Sequence, residues 1–338
     1  MKVLVTGGSG YIGSVLVPRL IQNGHQVVVV DRFFFGDSLQ EDSQLTKIKA
    51  DSRDLDKSYF KGIDAVIDLV AMSNDPSGEA FSEATYQINH QSRVNTAILA
   101  KDSGVQRYIL PSSCSIYGFQ EEGYIADESS KTNPLTVYAK ANEMAEKDIL
   151  PLADSSFTAT VIRQATVYGF SKRMRFDLAI NGMTHGAWET RQLPLMRDGT
   201  QWRPMIHVKD TSDAMIYLLA KNSNDINGEI FNVGSESNVY QLGALAERVA
   251  KTVGDDVAIE WYGDKDIRSY NVSFKKLADL GFKTKYKAED GVKEILSKLE
   301  SGELEKTKKT ITLEWYSLLS KWHSILQEID LNGTLINR

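Results

Sequence analysis

Ser113 and Tyr138 place a hydroxyl and a phenol twenty-five residues apart, the first ending an apolar run and the second opening a helical one. Beside a nicotinamide ring these groups suit hydride chemistry at an alcohol carbon. The phenolate takes the hydroxyl proton, the serine orients the oxygen, and the ring takes the hydride. Neither residue is diagnostic alone, because a tyrosine at a helix start usually packs. The pair gains meaning from a dinucleotide site, and the first thirteen residues offer one. Residues 2–5 form a short apolar strand, Gly7, Gly10 and Gly13 follow at three-residue steps, and Ile12, Val15, Leu16 and Leu20 begin a helix at once. A strand that turns through glycines into a helix N-terminus presents free backbone N–H groups and a positive dipole end to a pyrophosphate.

Later strand ends extend that site. Asp31 closes the second strand, eighteen residues after Gly13. A carboxylate there accepts both hydroxyls of an adenosine ribose and repels a 2′-phosphate, which favours NAD over NADP. Arg32 follows directly and could pair with such a phosphate, which tempers the preference. Asp51 ends the third strand, at the level of an adenine. Ala71 and Met72 follow the fourth, on the path of the pyrophosphate and nicotinamide ribose.

All these residues need a sheet whose strands end on one side. Strand patterns at 26–30, 45–50, 65–70, 107–110 and 158–163 alternate with helical ones, the longest at 86–102 and 137–150. That order predicts an α/β fold, a parallel sheet with helices on both faces. Pro18 is expected to bend the first helix, since its missing N–H leaves the Ser14 carbonyl unpaired. The second half is less regular. It predicts a short helix at 175–182, strands at 192–196 and 201–207 around an Asp198–Gly199 turn, and a helix at 208–220. A strand at 230–233, an amphipathic helix at 242–253, an extended run at 258–261 and a charged helical stretch at 290–329 complete it.

Composition narrows the class. The 338 residues are 42% hydrophobic and 25% charged, as in ordinary soluble globular proteins. A formal charge of −6 disfavours nucleic-acid partners. No apolar run reaches the length of a membrane span. The single cysteine, Cys114, excludes an internal disulfide and suits a reducing cytoplasm. The five histidines show no ligand spacing, so no metal is expected.

The sequence resembles the extended short-chain dehydrogenases/reductases of the nucleotide-sugar epimerase/dehydratase family, in the manner of a UDP-glucose 4-epimerase. The resemblance rests on Thr6 to Gly13, Asp31, Asp51, the Ser-Ser-Cys-Ser-Ile-Tyr-Gly run at 112–118, Tyr138, Val-Tyr-Gly at 167–169, Arg-Pro-Met-Ile-His-Val-Lys-Asp at 203–210 and Phe-Asn-Val-Gly at 231–234. It implies a Rossmann-type, doubly wound parallel sheet with a smaller α+β substrate-binding lobe. Residues 1–170 would bind NAD, with 203–235 returning to that domain, and 171–202 with 236–338 would form the lobe. It implies catalytic Ser113 and Tyr138. Tyr11, Ile12, Ser52, Asn89 and Asn142 join the cofactor set. Ser73, Ser113, Asn181, Arg203 and Arg268 face a nucleotide-sugar substrate, with the arginines on its diphosphate. Arg173 and Arg175 read as a solvated basic face. The helices at 86–102 and 137–150 would pair two subunits into a homodimer.

One departure bears on the chemistry. The family carries a lysine four residues after the tyrosine, and here that residue is Asn142. Lys140 lies about 200° around the helix, faces elsewhere and is a poor substitute. A phenol titrates near ~10 and must fall by roughly three units to act near neutrality, about 4 kcal/mol of electrostatic help. Asn142 can bond a ribose hydroxyl but brings no charge, so Asn142→Lys is expected to raise turnover at least tenfold. Cys114 and Ser115 stand where a family 4,6-dehydratase has an acidic pair. Asp68 and Thr166 replace a common histidine and asparagine. Dehydration is thus disfavoured. The expectation is an NAD-dependent nucleotide-sugar epimerase acting by transient oxidation of a sugar hydroxyl. A keto-sugar reductase and a non-catalytic NAD-binding protein are the alternatives.

Overall fold

The computed structural model describes residues 1–121, 123–264 and 269–329. Its central sheet has seven parallel strands, β1 (Lys2–Thr6), β2 (Gln26–Asp31), β3 (Leu45–Lys49), β4 (Ala65–Asp68), β5 (Arg107–Ser113), β6 (Thr158–Gln164) and β7 (Ile230–Val233). The spatial order is β7-β6-β5-β4-β1-β2-β3. Successive side chains of β1 serve opposite faces. Val3 and Val5 pack with Leu16, Val17 and Leu20 of α1 (Gly13–Gln22). Leu4 packs with the layer that holds Ala97, Ala100, Ala145 and Ile149. Every residue of β4 and β6 is buried, as expected of strands covered on both faces, and their charged side chains are held by partners, Arg163 by Glu146 at 2.7 Å and Asp68 by the Tyr108 hydroxyl at 2.5 Å. The chain leaves β1 toward β2 and β3 and returns through β4 on the other side. That reversal opens a crevice at the carboxyl ends of β1 and β4.

The helices that matter for the crevice are α2 (Asp75–Ala80), α3 (Arg93–Asp102) and α4 (Val137–Ile149). A π-helical turn, Gln87–Ser92, leads into α3, so the expected 86–102 helix begins with one wide turn. Apart from the sheet, α5 (Ala179–Thr190), α7 (Leu242–Val253) and α8 (Ala288–Glu300) share a separate hydrophobic cluster, whereas α6 (Val208–Leu219) packs with α1. Ile180, Leu193, Leu245, Val249 and Val292 belong to that separate cluster.

Three expectations are corrected. The helix placed at 175–182 starts at Ala179, because Arg175 and Asp177 are locked together and Leu178 is extended. The strands at 192–196 and 202–207 do not form a hairpin. The first pairs in parallel with Ala258–Tyr262, and the second lies between Thr166–Tyr168 and Val239–Gln241. The helical stretch at 290–329 is two helices, α8 and α9 (Thr312–Ile329), divided after Gly302, whose φ of 73° ends the first. No described helix is long and apolar enough to cross a membrane.

Candidate active site

A cavity of about 940 Å³ follows the carboxyl ends of β1, β2, β4 and β5 and continues along α5. The glycine turn forms its floor. Gly7 has φ 65°, and a Cβ there would lie 2.9 Å from the Val70 nitrogen. A Cβ on Gly13 would stand 2.4 Å from the Gly8 carbonyl oxygen, where α1 leaves the turn. On Gly10 it would meet only the Gly7 oxygen, at 3.1 Å, and would otherwise fill open space. Bare backbone and the α1 dipole therefore face the cavity, an arrangement that fits a dinucleotide pyrophosphate.

The Asp31 carboxylate accepts N–H groups of Ser9 at 2.9 Å and Phe33 at 2.7 Å, and it lines the cavity. Burial pushes its carboxyl upward, opposed by those amides and by Arg173. Asp51 is held far below the usual carboxylate range, first by Arg53 at 2.6 Å and then by Arg32. Arg32 is thus engaged with Asp51 and stacks on Phe34 at 4.5 Å, an arrangement that suits NAD better than a 2′-phosphate. Tyr11 and Ile12 line the cavity at the turn. The Tyr11 hydroxyl donates to the Gly169 carbonyl at 2.6 Å and accepts from Asn181 at 3.0 Å. Ser52 and Ala71 also face the cavity, and the Ser52 hydroxyl lies 3.1 Å from that of Ser92. Asn89 does not face it. Its buried amide clamps Met72, accepting from N at 2.8 Å and donating to O at 3.0 Å, so it shapes the wall from behind.

The reactive edge lies opposite. Ser113 ends β5 with its Oγ accepting the Ser115 N–H at 3.1 Å. Ser112 and Ser115 line the cavity, and their hydroxyls are buried without partners among the described residues. Cys114 points away, its thiol donating to the Arg163 carbonyl at 3.2 Å. Tyr138 sits in the first turn of α4, which Thr136 caps at 3.2 Å from Ala139 N. Gly78 of α2 admits it closely, since a Cβ there would lie 3.1 Å from the Tyr138 Cβ. Burial raises the phenol above its ordinary value, Arg93 and Arg175 draw it down, and Asp75 adds to the rise. Asn142 departs from expectation. It is 1% exposed and does not line the cavity. Its Oδ1 accepts from Arg93 at 2.8 Å and its Nδ2 donates to the Tyr138 carbonyl at 3.0 Å, so its amide faces protein rather than a ribose.

On the substrate side, Arg203 is buried, lines the cavity, donates to the Trp202 carbonyl at 2.9 Å and lies 5.0 Å over the Tyr270 ring. Ser73 lines the wall and accepts from Arg175 through Oγ at 3.1 Å. Asn181 is fully buried, its amide spent on Gly169 N, Tyr11 and the Arg175 carbonyl, so it braces the loop instead of lining the cavity. Arg268 lies outside the described residues. The solvated face expected at Arg173 and Arg175 is overturned, because both are buried and line the cavity. Arg175 forks onto Asp177 at 2.9 and 3.0 Å, and Arg173 stacks on Phe35 at 3.6 Å. Those partners make burial of the charges tolerable.

Residues that sequence reasoning missed lie at both ends. Arg93 lines the cavity beside Tyr138, yet along the sequence it is a lone arginine in a helical pattern. Tyr316 of α9 reaches the end of the cavity near Asp31, with its ring 5.3 Å from Phe35 and 6.3 Å from Phe34. At the far end Gln201 lines the cavity, and its amide is buried with no partner among the described residues. The run of three phenylalanines at 33–35 was the one visible hint of an aromatic contact.

Comparison with known proteins follows the same outline. The family model described as NAD dependent epimerase/dehydratase family matches residues 3–234. The UDP-glucose 4-epimerase of Lactobacillus helveticus is 28% identical over 86% of this chain and 94% of its own length. The dTDP-D-glucose 4,6-dehydratase of Mus musculus is 26% identical over 86% of this chain and 87% of its own. Among solved structures, UDP-glucuronic acid 4-epimerase from Bacillus cereus, in complex with UDP-glucuronic acid and NAD, superposes with a TM-score of 0.80 at 22% identity, covering 89% of this chain and 99% of that one.

Proposed function

Since this chain belongs to the NAD-dependent epimerase/dehydratase family, we propose that it is a nucleotide-sugar epimerase that works by transient oxidation of a sugar hydroxyl. The observation that carries this reading is the chemistry around Ser113. Ser113 and Tyr138 face one cavity, and the positions after Ser113 hold a buried thiol turned away and a neutral hydroxyl. Elimination of water needs an acid at the sugar, and neither Cys114 nor Ser115 provides one.

In this reading bound NAD supplies the hydride acceptor, held by the glycine turn, Asp31 and the Ala71–Met72 wall. Tyr138 takes the proton of the sugar hydroxyl, and Ser113 holds the oxygen as it becomes a carbonyl. The cavity would give the keto sugar room to turn over, and Tyr138 would give the proton back as the hydroxyl re-forms on the other face. Arg203 holds the diphosphate, with Arg173 and Arg175 adding positive charge along the route. The helices α3 and α4 meet their copies in a homodimer.

The test is incubation of the protein and NAD with UDP-, GDP-, CDP- and dTDP-sugars, with products resolved by proton NMR. Interconversion of one pair of epimers without loss of water is expected. Release of a 4-keto-6-deoxy sugar, or no turnover beside tight NAD binding, would refute the epimerase reading.

A further inference from the structure

Arg93 is a buried cation that no carboxylate answers. It is 2% exposed, and among the described residues no acid lies within ion-pair distance of its guanidinium. It donates instead to neutral oxygens, to the Val70 carbonyl through Nε at 2.9 Å, to Asn142 Oδ1 through Nη1 at 2.8 Å and to the Asp68 carbonyl through Nη2 at 3.4 Å. The Asp68 carboxylate is turned to Thr6 Oγ1 and to the Tyr108 hydroxyl, at 2.5 Å from the latter. Holding an ion away from water with no direct ion-pair partner is costly. Such an arrangement is kept where a negative charge arrives during function.

The negative charge that the proposed reaction creates beside Arg93 is the Tyr138 phenolate. Asn142 lies one helical turn below Tyr138 on α4. Its amide accepts from Arg93 on one side and donates to the Tyr138 carbonyl at 3.0 Å on the other. We propose that Arg93 is the positioning cation of this site: it delivers, from α3, the charge that the family's lysine brings from α4, and Asn142 is the neutral tether that holds it there. The two residues belong together. A lysine at 142 would crowd a second cation against the guanidinium, and a small residue at 93 would leave the Asn142 carbonyl without its charged donor.

The inference rests on Tyr138 as the base. The other charged groups facing the phenol are Arg175, from the loop before α5, and Asp75, from α2. Arg175 is matched by Asp177 at 2.9 Å, and Asp75 accepts the Thr136 hydroxyl at 2.6 Å. Arg93 is the strongest of the influences that draw the phenol down against burial.

The experiment compares Arg93→Met, Arg93→Lys and the double variant Arg93→Met/Asn142→Lys with the unaltered chain. The first readout needs neither cofactor nor turnover. Difluorotyrosine at 138 titrates in an accessible range, and its fluorine resonance reports ionisation directly. The second is the pH profile of kcat and of KM on the epimerised nucleotide sugar. Arg93→Met is expected to move the phenol titration and the base limb of kcat upward by about one pH unit or more. It should lower kcat at neutral pH by about tenfold, with KM nearly unchanged. Arg93→Lys keeps most of the activity, and the double variant regains what Arg93→Met lost. A lower melting temperature with the titration unmoved, or a folded double variant as impaired as the single one, overturns the proposal. If Arg93→Met does not fold, Arg93→Lys and the double variant carry the same comparison. Tyr138→Phe separates the two readings, since full activity in that variant removes the base while leaving the titration result on Arg93 intact.

Discussion

Asn142→Lys introduces the lysine that the sequence resemblance implies, and in this fold it is expected to do harm. The Asn142 oxygen lies 2.8 Å from Arg93 Nη1. An ammonium reaching that place stands about 4 Å from the guanidinium, where two like charges repel by about 4 kcal/mol at an effective dielectric of 20. The substitution also removes a hydrogen bond from a charged donor, worth about 1.5–3 kcal/mol. A flexible lysine recovers part of this by swinging into the cavity or giving up its proton, so a net loss of about 2–4 kcal/mol is expected. The sign with pH follows. Beside Arg93 the new lysine has a folded pKa below its unfolded one. The penalty is full below the folded value, shrinks as pH rises, and vanishes above the unfolded value near ~10.4. Urea unfolding of the two proteins at about pH 7 and pH 9.5 measures this as a midpoint difference that narrows with pH. Equal stability at neutral pH together with faster turnover would refute the reasoning, and would return Asn142 to the plain deficit that the sequence suggests.

Three further outcomes are expected. Burial pushes the Glu294 carboxyl up, but His207 at 3.1 Å and Lys209 outweigh it and hold the pKa at about 2. Its contribution to stability is therefore present above the unfolded value near ~4.3 and lost as pH falls through the folded one. Thermal melts of Glu294→Gln should be lower than those of the unaltered chain at neutral pH and converge with them toward pH 2. Gln201→Leu should raise KM for the nucleotide sugar about tenfold or more with kcat little changed, because a ligand loses partners for a donor and an acceptor. Steady-state kinetics decides it, and a lowered kcat at unchanged KM would count against a binding role. Ile98 of α3 and Met144 of α4 are exposed at 41% and 39%. Met144→Asp should convert a dimer into monomers by light scattering, and a chain already monomeric at micromolar concentration would exclude that interface.

The glycine turn, the strand ends and the layered sheet were legible because each follows from a local rule. A pyrophosphate needs bare amides, and a buried parallel strand such as Gln26–Asp31 is written as a run of valines. Side-chain direction has no such rule. Asn89, Asn142 and Asn181 sit at the right places along the chain, yet each amide is spent on protein groups, Met72, Arg93 with Tyr138, and Gly169 with Tyr11 and Arg175. An asparagine's position marks where an amide is useful but leaves open whether it bonds a ligand or the backbone behind it. Arg173 and Arg175 failed in the opposite sense. Charge in a loop usually means solvent, and only the fold brings Phe35 and Asp177 close enough to bury it.

The same reasoning changes what a broken motif signifies. The lysine that the resemblance implies would stand four residues after the tyrosine because one helix would carry both, but a phenol responds to charge, distance and burial. Arg93 and Asn142 are 49 residues apart in sequence and in direct contact in space. A cation from α3 can meet the electrostatic need of α4, provided the residue it displaces becomes neutral and accepts a hydrogen bond. Asparagine does both, while leucine would leave a guanidinium hydrogen unpaired and aspartate would neutralise the charge that the phenolate requires. An asparagine at 142 is then the residue that an arginine at 93 demands, and the two positions should tolerate exchange only as a pair.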